Sequence, residues 1–384
     1  MGVKELQCDP IESLRARRSA KWTAHPSDVL PLTVAEMDYP LAPVVAEALH
    51  EAVELGDTGY ATAASGLGTS LAAFARRRWG WDVDPARVTG VADVGVAVVL
   101  LLRALTTPGQ AVVINTPVYP PFFDWVDEAG SRLVEVPLVE TAQGWRLDLA
   151  ALESAFSAGA AVYILCNPHN PVGRAHSPEE LAAVIDLATR HGVRVVSDEI
   201  HGPLVLSGAT FTPLLTLPGA AEVAASVVSA SKAWNLAGLK CATVVTASPT
   251  MDAVVERFPP ESKWGSGQFG VLASIAAYDR GEPWLDQLLV TLGRRRSDLG
   301  ALLAERLPAL TWHPPEATYL AWLDCRSVGS GNEPRERFLE GGRVALEPGL
   351  RFGAEGSGFV RLNFATATEI LDEAVRRMAV ALER

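Results

Sequence analysis

Four short polar segments contain the side chains most able to do chemistry: 166–173, 197–201, 229–235 and 361–364. Each of the first three comes at the end of a short run rich in Val, Ile and other apolar residues. Such runs are typical of strands that are covered on both faces of a mostly parallel sheet. Ligands of open α/β sheets bind beyond the carboxyl ends of the strands. We therefore expect these three segments to meet at one edge of a sheet, with 361–364 reaching the site from a second domain.

Asp198 and Lys232 lie in two of these segments, and an acid and a lysine at neighbouring strand ends have two interpretations. The simpler interpretation is a structural ion pair. The alternative is a cofactor site, because small hydroxyl side chains at Ser229 and Ser231 precede the lysine and suit a phosphate. Pyridoxal phosphate needs a lysine that bonds to its aldehyde and an acid that pairs with its ring nitrogen. The surrounding residues favour the cofactor site.

The elements that must position these segments alternate between strands and helices in the middle of the chain. Apolar runs predict buried strands at 111–115, 133–137, 161–166, 193–197, 226–229 and 241–246. Helices are predicted at 43–55, 71–79, 119–129, 148–156 and 178–190. After residue 270 the sequence predicts a long helical stretch over 271–307 that Pro283 interrupts, strands at 319–324, 344–346 and 359–363, and a last helix at 368–382. This order indicates an α/β sandwich followed by an α+β domain.

Composition and charge exclude several classes of protein. The chain has 384 residues, enough for two domains, and 48% of them are hydrophobic, which excludes wholesale disorder. The formal net charge of −12 makes a nucleic-acid partner unexpected. The longest apolar run, 94–102, is far shorter than the ~20 residues of a membrane-spanning helix, and no signal-peptide core is visible. We therefore expect no membrane partner and a cytoplasmic location.

Metal and redox motifs are also missing from the sequence. The four cysteines form no C-x-x-C pair, and the seven histidines show no ligand spacing. We expect no metal site.

Further segments extend the pattern over nearly the whole chain: 34–40, 116–122, 235–241, 317–324 and 358–364. In this order the segments resemble the fold-type I pyridoxal-phosphate enzymes of the aminotransferase class I/II superfamily. Within it the chain is most similar to the MalY/PatB-type cystathionine β-lyases, also called cysteine-S-conjugate β-lyases. The sequences Asp-Glu-Ile-His at 198–201 and Ala-Trp-Leu-Asp at 321–324 favour this lyase branch over general aminotransferases.

The resemblance implies an architecture and an assembly. A large cofactor-binding domain, 41–270, would contain a mostly parallel seven-stranded sheet. A smaller α+β C-terminal domain, 271–384, would include the N-terminal segment 1–40. The working unit would be a homodimer with its active sites at the interface.

The resemblance also assigns the residues around the cofactor ring and the substrate. Lys232 would carry pyridoxal 5'-phosphate covalently and move protons, and Asp198 would keep the ring nitrogen protonated. Tyr119 would stack on the ring as a further catalytic residue. Asn170 would bond the phenolic oxygen of the cofactor and contact the substrate. Arg361 would bind the substrate carboxylate with two parallel hydrogen bonds, which a lysine would do less well.

A second group of residues would hold the cofactor phosphate: Ser229, Ser231, Lys240 and the backbone amides near Val94 and Gly95. Tyr60 would reach across the dimer interface to the phosphate of the neighbouring subunit. His201 would support the cofactor without a direct catalytic role.

Asp93 departs from the pattern of similar sequences, which usually have a Gly-rich turn before the phosphate-binding helix. An aspartate at this position can cap the helix that follows. Close to a phosphate dianion, however, its charge would repel. Two alternatives stay open from the sequence: Asp93 points away from the phosphate, or phosphate affinity is lowered.

Three functions compete on these residues. The first is β-elimination from L-cystathionine or an S-substituted L-cysteine, which gives a thiol, pyruvate and ammonia. The second is an aminotransferase on the same scaffold, and the third is a non-catalytic regulatory protein of this fold. Retention of Lys232, Asp198 and Arg361 together argues against the third. The aromatic and glycine-lined surroundings expected from Tyr119, Phe122 and 264–267 favour neutral or bulky S-substituents.

Overall fold

The computed structural model describes residues 4–62, 66–329, 331 and 333–383. The N-terminal segment contains α1 (Ile11–Arg15), α2 (Ala20–Thr23) and β1 (Leu30–Pro31). The middle of the chain contains α3 (Pro43–Glu54), α4 (Leu67–Trp79), β2 (Val88–Val91), α5 (Val94–Leu105), β3 (Ala111–Ile114), α6 (Pro121–Glu128), β4 (Arg132–Glu135), β5 (Val139–Thr141), β6 (Gly144–Arg146), α7 (Leu149–Ser157), β7 (Ala160–Cys166), α8 (Pro178–His191), β8 (Arg194–Asp198), α9 (Ala220–Val223), β9 (Ala224–Val228), β10 (Ala242–Val245), α10 (Pro249–Val255) and α11 (Gln268–Arg280). The C-terminal part contains α12 (Glu282–Arg306), β11 (Thr311–Trp312), β12 (Leu320–Asp324), α13 (Pro334–Gly342), β13 (Val344–Ala345), β14 (Glu347–Pro348), β15 (Phe359–Asn363) and α14 (Thr368–Glu383).

A seven-stranded sheet forms the centre of the molecule, in the order β2-β10-β9-β8-β7-β3-β4. Only β10 runs antiparallel to its neighbours, so the predicted mostly parallel sheet of seven strands is confirmed. The apolar pattern does not predict β2, because its sequence Val-Thr-Gly-Val is short and interrupted by glycine.

Alternate residues of the sheet enter two separate hydrophobic clusters. In β3, Ala111 and Val113 belong to one cluster, while Val112 and Ile114 belong to the other. This alternation follows from the two-residue period of a strand, and it explains why β3 is apolar at every position. The expected burial of 133–137 is wrong, because β4 is the edge strand and its residues are partly or fully exposed.

Capping residues and prolines fix several helix boundaries as predicted. Ser177 and Glu180 form a reciprocal capping box at the start of α8, with Pro178 in the first position. The predicted interruption by Pro283 is confirmed, because α11 ends at Arg280 and α12 begins at Glu282. None of the helices in the described ranges combines the length and the apolar character needed to cross a membrane.

The C-terminal part builds a four-stranded antiparallel sheet in the order β11-β12-β15-β14. The N-terminal segment joins this part of the molecule, since β1 pairs in parallel with β13 through Leu30 opposite Val344. This pairing supports the assignment of the segment to the small domain. The boundaries at residues 40 and 270 stay predictions.

Candidate active site

The ends of three neighbouring strands bring the polar segments together. Cys166 of β7 lies opposite Asp198 of β8, and Asp198 lies opposite Val227 of β9. The segment that contains Lys232 starts directly after β9 ends. Parallel strands in register therefore place 166–173, 197–201 and 229–235 at the same edge of the sheet, as expected for a ligand site of an open α/β sheet.

A cavity of about 300 Å³ opens at this edge, a size typical of small-molecule sites. Ten of the twelve residues predicted for the site line it: Val94, Gly95, Tyr119, Asn170, Asp198, His201, Ser229, Ser231, Lys232 and Lys240. Arg361 lies behind the wall of the cavity, where it bonds Asn170. Tyr60 does not line the cavity of its own chain.

Lys232 is enclosed by protein and keeps part of its surface open to the cavity. Its Nζ donates to the carbonyl oxygen of Ala35 at 3.1 Å. No carboxylate of the described residues lies within salt-bridge distance of this amine. Burial, assisted by the positive charge of Arg361, lowers the pKa of Lys232 to about 8. With this pKa about one tenth of the amine is unprotonated at pH 7, and a nucleophile or proton acceptor requires this form.

Asp198 is buried at the end of β8 with one oxygen turned to a backbone donor. Its Oδ1 accepts a hydrogen bond from the amide of Ile200 at 3.1 Å. Burial raises the pKa of Asp198 to about 7, although the Ile200 amide and the charge of Lys232 oppose that shift. In the described part of the chain no cation pairs with this carboxylate. A positively charged ligand group in the cavity would supply the missing partner.

Arg361 holds its guanidinium in the interior without a carboxylate partner among the described residues. One Nη donates to Asn170 Oδ1 and the other to the carbonyl oxygen of Thr33, each at 3.1 Å. The guanidinium carbon lies 5.0 Å from the centre of the Phe352 ring. A buried cation without a counter-ion is costly. A carboxylate ligand would relieve that cost and could use both ends of the planar group.

Tyr119 and His201 complete the walls around the deep end of the cavity. The Tyr119 ring meets Trp125 edge to face, with 6.1 Å between ring centres, and burial raises the pKa of its phenol. His201 is buried, and burial lowers its pKa to about 3, so the ring is neutral. Its Nδ1 has no hydrogen-bond partner among the described residues. The neutral ring suits support of a bound group better than proton transfer near neutral pH.

Among the residues predicted for the phosphate, Lys240 is exposed and marks the open end of the cavity, whereas Ser229 is buried. Ser229 Oγ donates to the carbonyl oxygen of Cys241 at 2.7 Å and accepts from the amide of Ser231 at 3.1 Å. Lys240 Nζ lies 2.8 Å from Asp93 Oδ2. Asp93 itself lines the cavity. Asp93 therefore lies beside the lysine predicted for the phosphate, and its effect on phosphate affinity stays a prediction.

Gly95 has a packing reason for being glycine. A Cβ at this position would lie 2.7 Å from Nε1 of Trp125, which is closer than side chains tolerate. The close approach of α6 to the first turn of α5 therefore requires a residue without a side chain.

Several lining residues are not predicted by the sequence analysis: the backbone of Ala35 and the side chains of Trp125, Cys166 and Ile200. Trp125 lies six residues after Tyr119 and three after Phe122, a helical spacing that could have revealed it. The carbonyl oxygen of Ala35 carries no side-chain signal. Its role depends on a contact between residues 197 positions apart.

Residues 27–378 match the family described as aminotransferase class I and II. The chain belongs to this family. A Mycobacterium leprae relative named "Putative cystathionine beta-lyase" is 47% identical, covering 97% of this chain and 96% of the relative. The Bacillus subtilis protein named "Cystathionine beta-lyase PatB" is 35% identical, covering 98% of this chain and all of the relative.

The same family relationship is seen in three dimensions. The crystal structure of a "putative plp-dependent beta-cystathionase" from Corynebacterium diphtheriae superposes with a TM-score of 0.94, covers 99% of each chain and is 36% identical. The expected membership of the class I/II superfamily and the expected fold-type I architecture are confirmed.

Proposed function

We propose that this protein is a pyridoxal 5'-phosphate-dependent carbon–sulfur β-lyase that cleaves L-cystathionine or another S-substituted L-cysteine to a thiol, pyruvate and ammonia. One observation carries the proposal: Lys232 and Asp198 line one cavity, Arg361 bonds Asn170 in its wall, and none of the three has a charged partner within the described residues. The lyase names of relatives at 35% and 47% identity support the reaction class.

The residues of the cavity fit the cofactor group by group. When bound, pyridoxal phosphate supplies an electron sink for the charge left on the substrate α-carbon. Asp198 would face the ring nitrogen, Asn170 the phenolic oxygen and Tyr119 the ring face. Ser229, Ser231, Lys240 and the amides of Val94 and Gly95 would hold the phosphate at the open end. Within the described residues, the Asp198 carboxylate has no cationic partner and Nδ1 of His201 has no hydrogen-bond partner. Both features favour a bound ring that contains polar groups.

Arg361, Asn170 and Lys232 would each have a separate role toward the substrate. Arg361 binds the α-carboxylate and orients the amino acid, with Asn170 beside it. Lys232, once its amine is free, accepts the α-proton, for which its lowered pKa suits it. The Cβ–S bond breaks with its electrons on sulfur, and the thiolate takes up a proton. Hydrolysis of the remaining three-carbon fragment consumes one water and yields pyruvate and ammonia.

The walls of the cavity favour substrates with a neutral S-substituent. Beside the charged groups already assigned, the lining includes Ala35, Pro121, Trp125, Ile200 and Ala237, which are apolar. No arginine is among the described residues that line the cavity, so none is placed there to bind a distal carboxylate. We propose that neutral and bulky S-conjugates of cysteine are accepted.

A homodimer with shared active sites is part of the proposal. Tyr60 is 83% exposed and meets Trp264, itself 56% exposed, edge to face with 6.1 Å between ring centres. Val53 and Leu55 at the end of α3 are exposed apolar side chains as well. Such a surface is typical of an interface. We propose that a second copy of the chain covers it and that Tyr60 reaches the partner's phosphate site.

We also propose a cytoplasmic location. All four cysteines are free thiols, as is usual in a reducing compartment.

A partition assay tests the reaction. The holoenzyme receives S-ethyl-L-cysteine together with 2-oxoglutarate, and pyruvate, ethanethiol and glutamate are quantified. We expect equal amounts of pyruvate and thiol, both well above glutamate. Predominance of glutamate would instead establish an aminotransferase. Absence of all three products, with no visible cofactor absorbance, would favour the non-catalytic alternative.

A substitution at Arg361 tests the assigned carboxylate site. Arg361→Lys should raise KM about tenfold or more with a smaller change in kcat, because one point charge replaces two parallel hydrogen bonds. Arg343→Lys is the matched control, since Arg343 also makes a two-armed contact, with Asp28, but on the surface. Equal effects of the two substitutions on KM would refute the assignment.

A further inference from the structure

An ion pair lies at the open end of the cavity, where the phosphate is proposed to bind. Asp93 is the N-cap of α5, and its Oδ1 accepts the amide hydrogen of Val96 at 2.9 Å. Its other oxygen, Oδ2, accepts from Lys240 Nζ at 2.8 Å. The Asp93 carboxylate thus accepts hydrogen bonds from an amide of the first helical turn and from Lys240, the only lysine proposed to bind the phosphate.

The position of Lys240 is fixed by its backbone. Residue 240 has a left-handed φ of 57°, which is uncommon for a residue with a side chain. Its carbonyl oxygen accepts the amide hydrogen of Gly267 at 3.0 Å. Behind it, a Cβ on Gly270 would come within 2.3 Å of the carbonyl oxygen of Leu239. The start of α11 therefore holds this turn in place and directs Lys240 toward Asp93.

The charge of Asp93 is retained at neutral pH. Burial opposes ionisation, but the hydrogen bonds from Lys240 and from the helix amides outweigh it and hold the pKa of Asp93 below its ordinary value. Two aspartates and two lysines are the acidic and basic side chains among the described residues that line the cavity. An incoming phosphate dianion meets a carboxylate where a helix N-terminus and a lysine would otherwise offer only positive potential.

We propose that Asp93 competes with the cofactor phosphate for Lys240 and for the first turn of α5, so that this chain binds pyridoxal phosphate less tightly than its phosphate site allows. The proposal rests on the proposed function, since it concerns the same cofactor. It makes Asp93 a positioning residue that sets how readily the phosphate is held and released. Among the described residues the carboxylate bonds Val96 and Lys240 and none of the side chains assigned to the cofactor ring, so its effect should be largest on the phosphate.

Removal of the charge with retention of the cap tests the proposal. Asp93→Ser keeps an oxygen that can accept the Val96 amide hydrogen. The dissociation constants of the apoprotein for pyridoxal phosphate and for pyridoxal, which lacks the phosphate, are measured from the gain in visible absorbance. Inorganic phosphate serves as a competing probe in the same titration.

The matched control is Asp148→Ser. Asp148 caps α7 in the same way, accepting the amide hydrogen of Ala151 at 2.9 Å, but it does not line the cavity. We expect Asp93→Ser to tighten binding of pyridoxal phosphate roughly five- to tenfold at low salt, the size of one partly exposed charge interaction. Inorganic phosphate should compete more strongly in the same variant. Affinity for pyridoxal should change less than about twofold, and Asp148→Ser should alter neither cofactor affinity.

Each contrary result has a distinct meaning. Weaker binding of pyridoxal phosphate to Asp93→Ser would overturn the proposal and show that Asp93 orients Lys240 for the phosphate. Unchanged binding, or a parallel change for pyridoxal, would overturn it as well. If the unsubstituted chain binds neither compound, the proposed function fails and the inference with it. If it binds pyridoxal phosphate and only the Asp93→Ser gain is missing, the inference alone fails.

Discussion

Two lysine–aspartate combinations in the interior of this protein illustrate opposite uses of the same side chains. Lys21 and Asp38 form a direct ion pair of 2.7 Å, and their side chains are 0% and 1% exposed. Trp22 Nε1 donates to the second oxygen of Asp38 at 3.0 Å. Lys232 and Asp198, in contrast, face one cavity and do not bond each other. The first combination has its partners within the chain, whereas the second leaves polar capacity for a ligand.

The segment 35–37 precedes Asp38 and contacts a lysine of each combination. The carbonyl oxygen of Ala35 accepts from Lys232, and that of Glu36 accepts from Lys21. Asn235 fixes the same segment, because its side chain bonds both the amide and the carbonyl group of Met37. The structural pair therefore anchors the wall on which the reactive lysine rests. An ion pair whose hydrogen bonds are all made within the chain holds the surrounding structure in place. A buried ionisable group without a charged partner and with a shifted pKa instead indicates a functional site.

Replacement of Lys232 should have the largest effect on activity. It should also show most clearly that Lys232 and Asp198 serve a ligand, whereas Lys21 and Asp38 serve the fold. Lys232→Ala is expected to lose the visible absorbance of the cofactor and to lower kcat by ~10³-fold or more. Its free energy of unfolding should fall by no more than about 1 kcal/mol, because the substitution removes the hydrogen bond to Ala35 and, among the described residues, no ion pair. Absorbance spectra, steady-state kinetics and urea denaturation measure the three quantities. Full activity in this variant would refute the assignment.

The structural pair should respond in the reverse way. Lys21→Met leaves Asp38 charged and buried without its partner, and we expect the free energy of unfolding to fall by about 3–5 kcal/mol. The folded fraction should retain cofactor absorbance. In the double variant Lys21→Met/Asp38→Leu, both charges are gone and most of the loss should be recovered. A single variant as stable as the parent chain would show that the pair contributes little.

Asp198→Asn should reduce activity and spare the fold. The amide keeps the shape but cannot balance a positive ring nitrogen, so kcat should drop roughly 10²-fold. Because burial raises the pKa of Asp198 from 3.8 to about 7, the folded apoprotein holds this proton more tightly than the unfolded chain. Stability of the parent apoprotein should therefore decrease as pH rises from about 4 to about 7, and the variant should lack this contribution. A loss of activity below tenfold would favour a structural role.

The pH dependence of cofactor capture should give the smallest but most specific effect. Only the neutral amine of Lys232 reacts with an aldehyde, and its pKa is lowered from 10.5 to about 8. The rate of covalent capture by the apoprotein should rise about tenfold per pH unit at low pH and level off above about 8. Rapid-mixing absorbance measurements record this profile. A rate that still rises steeply above about pH 9 would show an ordinary, solvated lysine.

Local patterns in the sequence account for much of the fold. The short apolar runs, the Ser177 capping box and the break at Pro283 predict elements that the structure contains within a few residues. Elements with a weak local pattern are not predicted. The sequence pattern does not predict β2 or the hairpin of β5 and β6. It also predicts that β4 is buried, which is wrong, because the exposure of an edge strand depends on what lies beside it.

For the candidate site, too, some features follow from the sequence and others only from the tertiary structure. Residue types and their order along the chain determined which side chains could serve a cofactor and to which family the chain is similar. Tertiary structure alone decided which charges are paired, since Asp93 meets Lys240 across 147 positions and Lys232 meets the carbonyl oxygen of Ala35 across 197. It also decided the pKa values, because desolvation depends on the surrounding packing and not on the neighbouring residues in sequence. A lysine and an aspartate therefore look alike in the sequence, whether folding leaves them bonded, as Lys21 and Asp38, or open to a ligand, as Lys232 and Asp198.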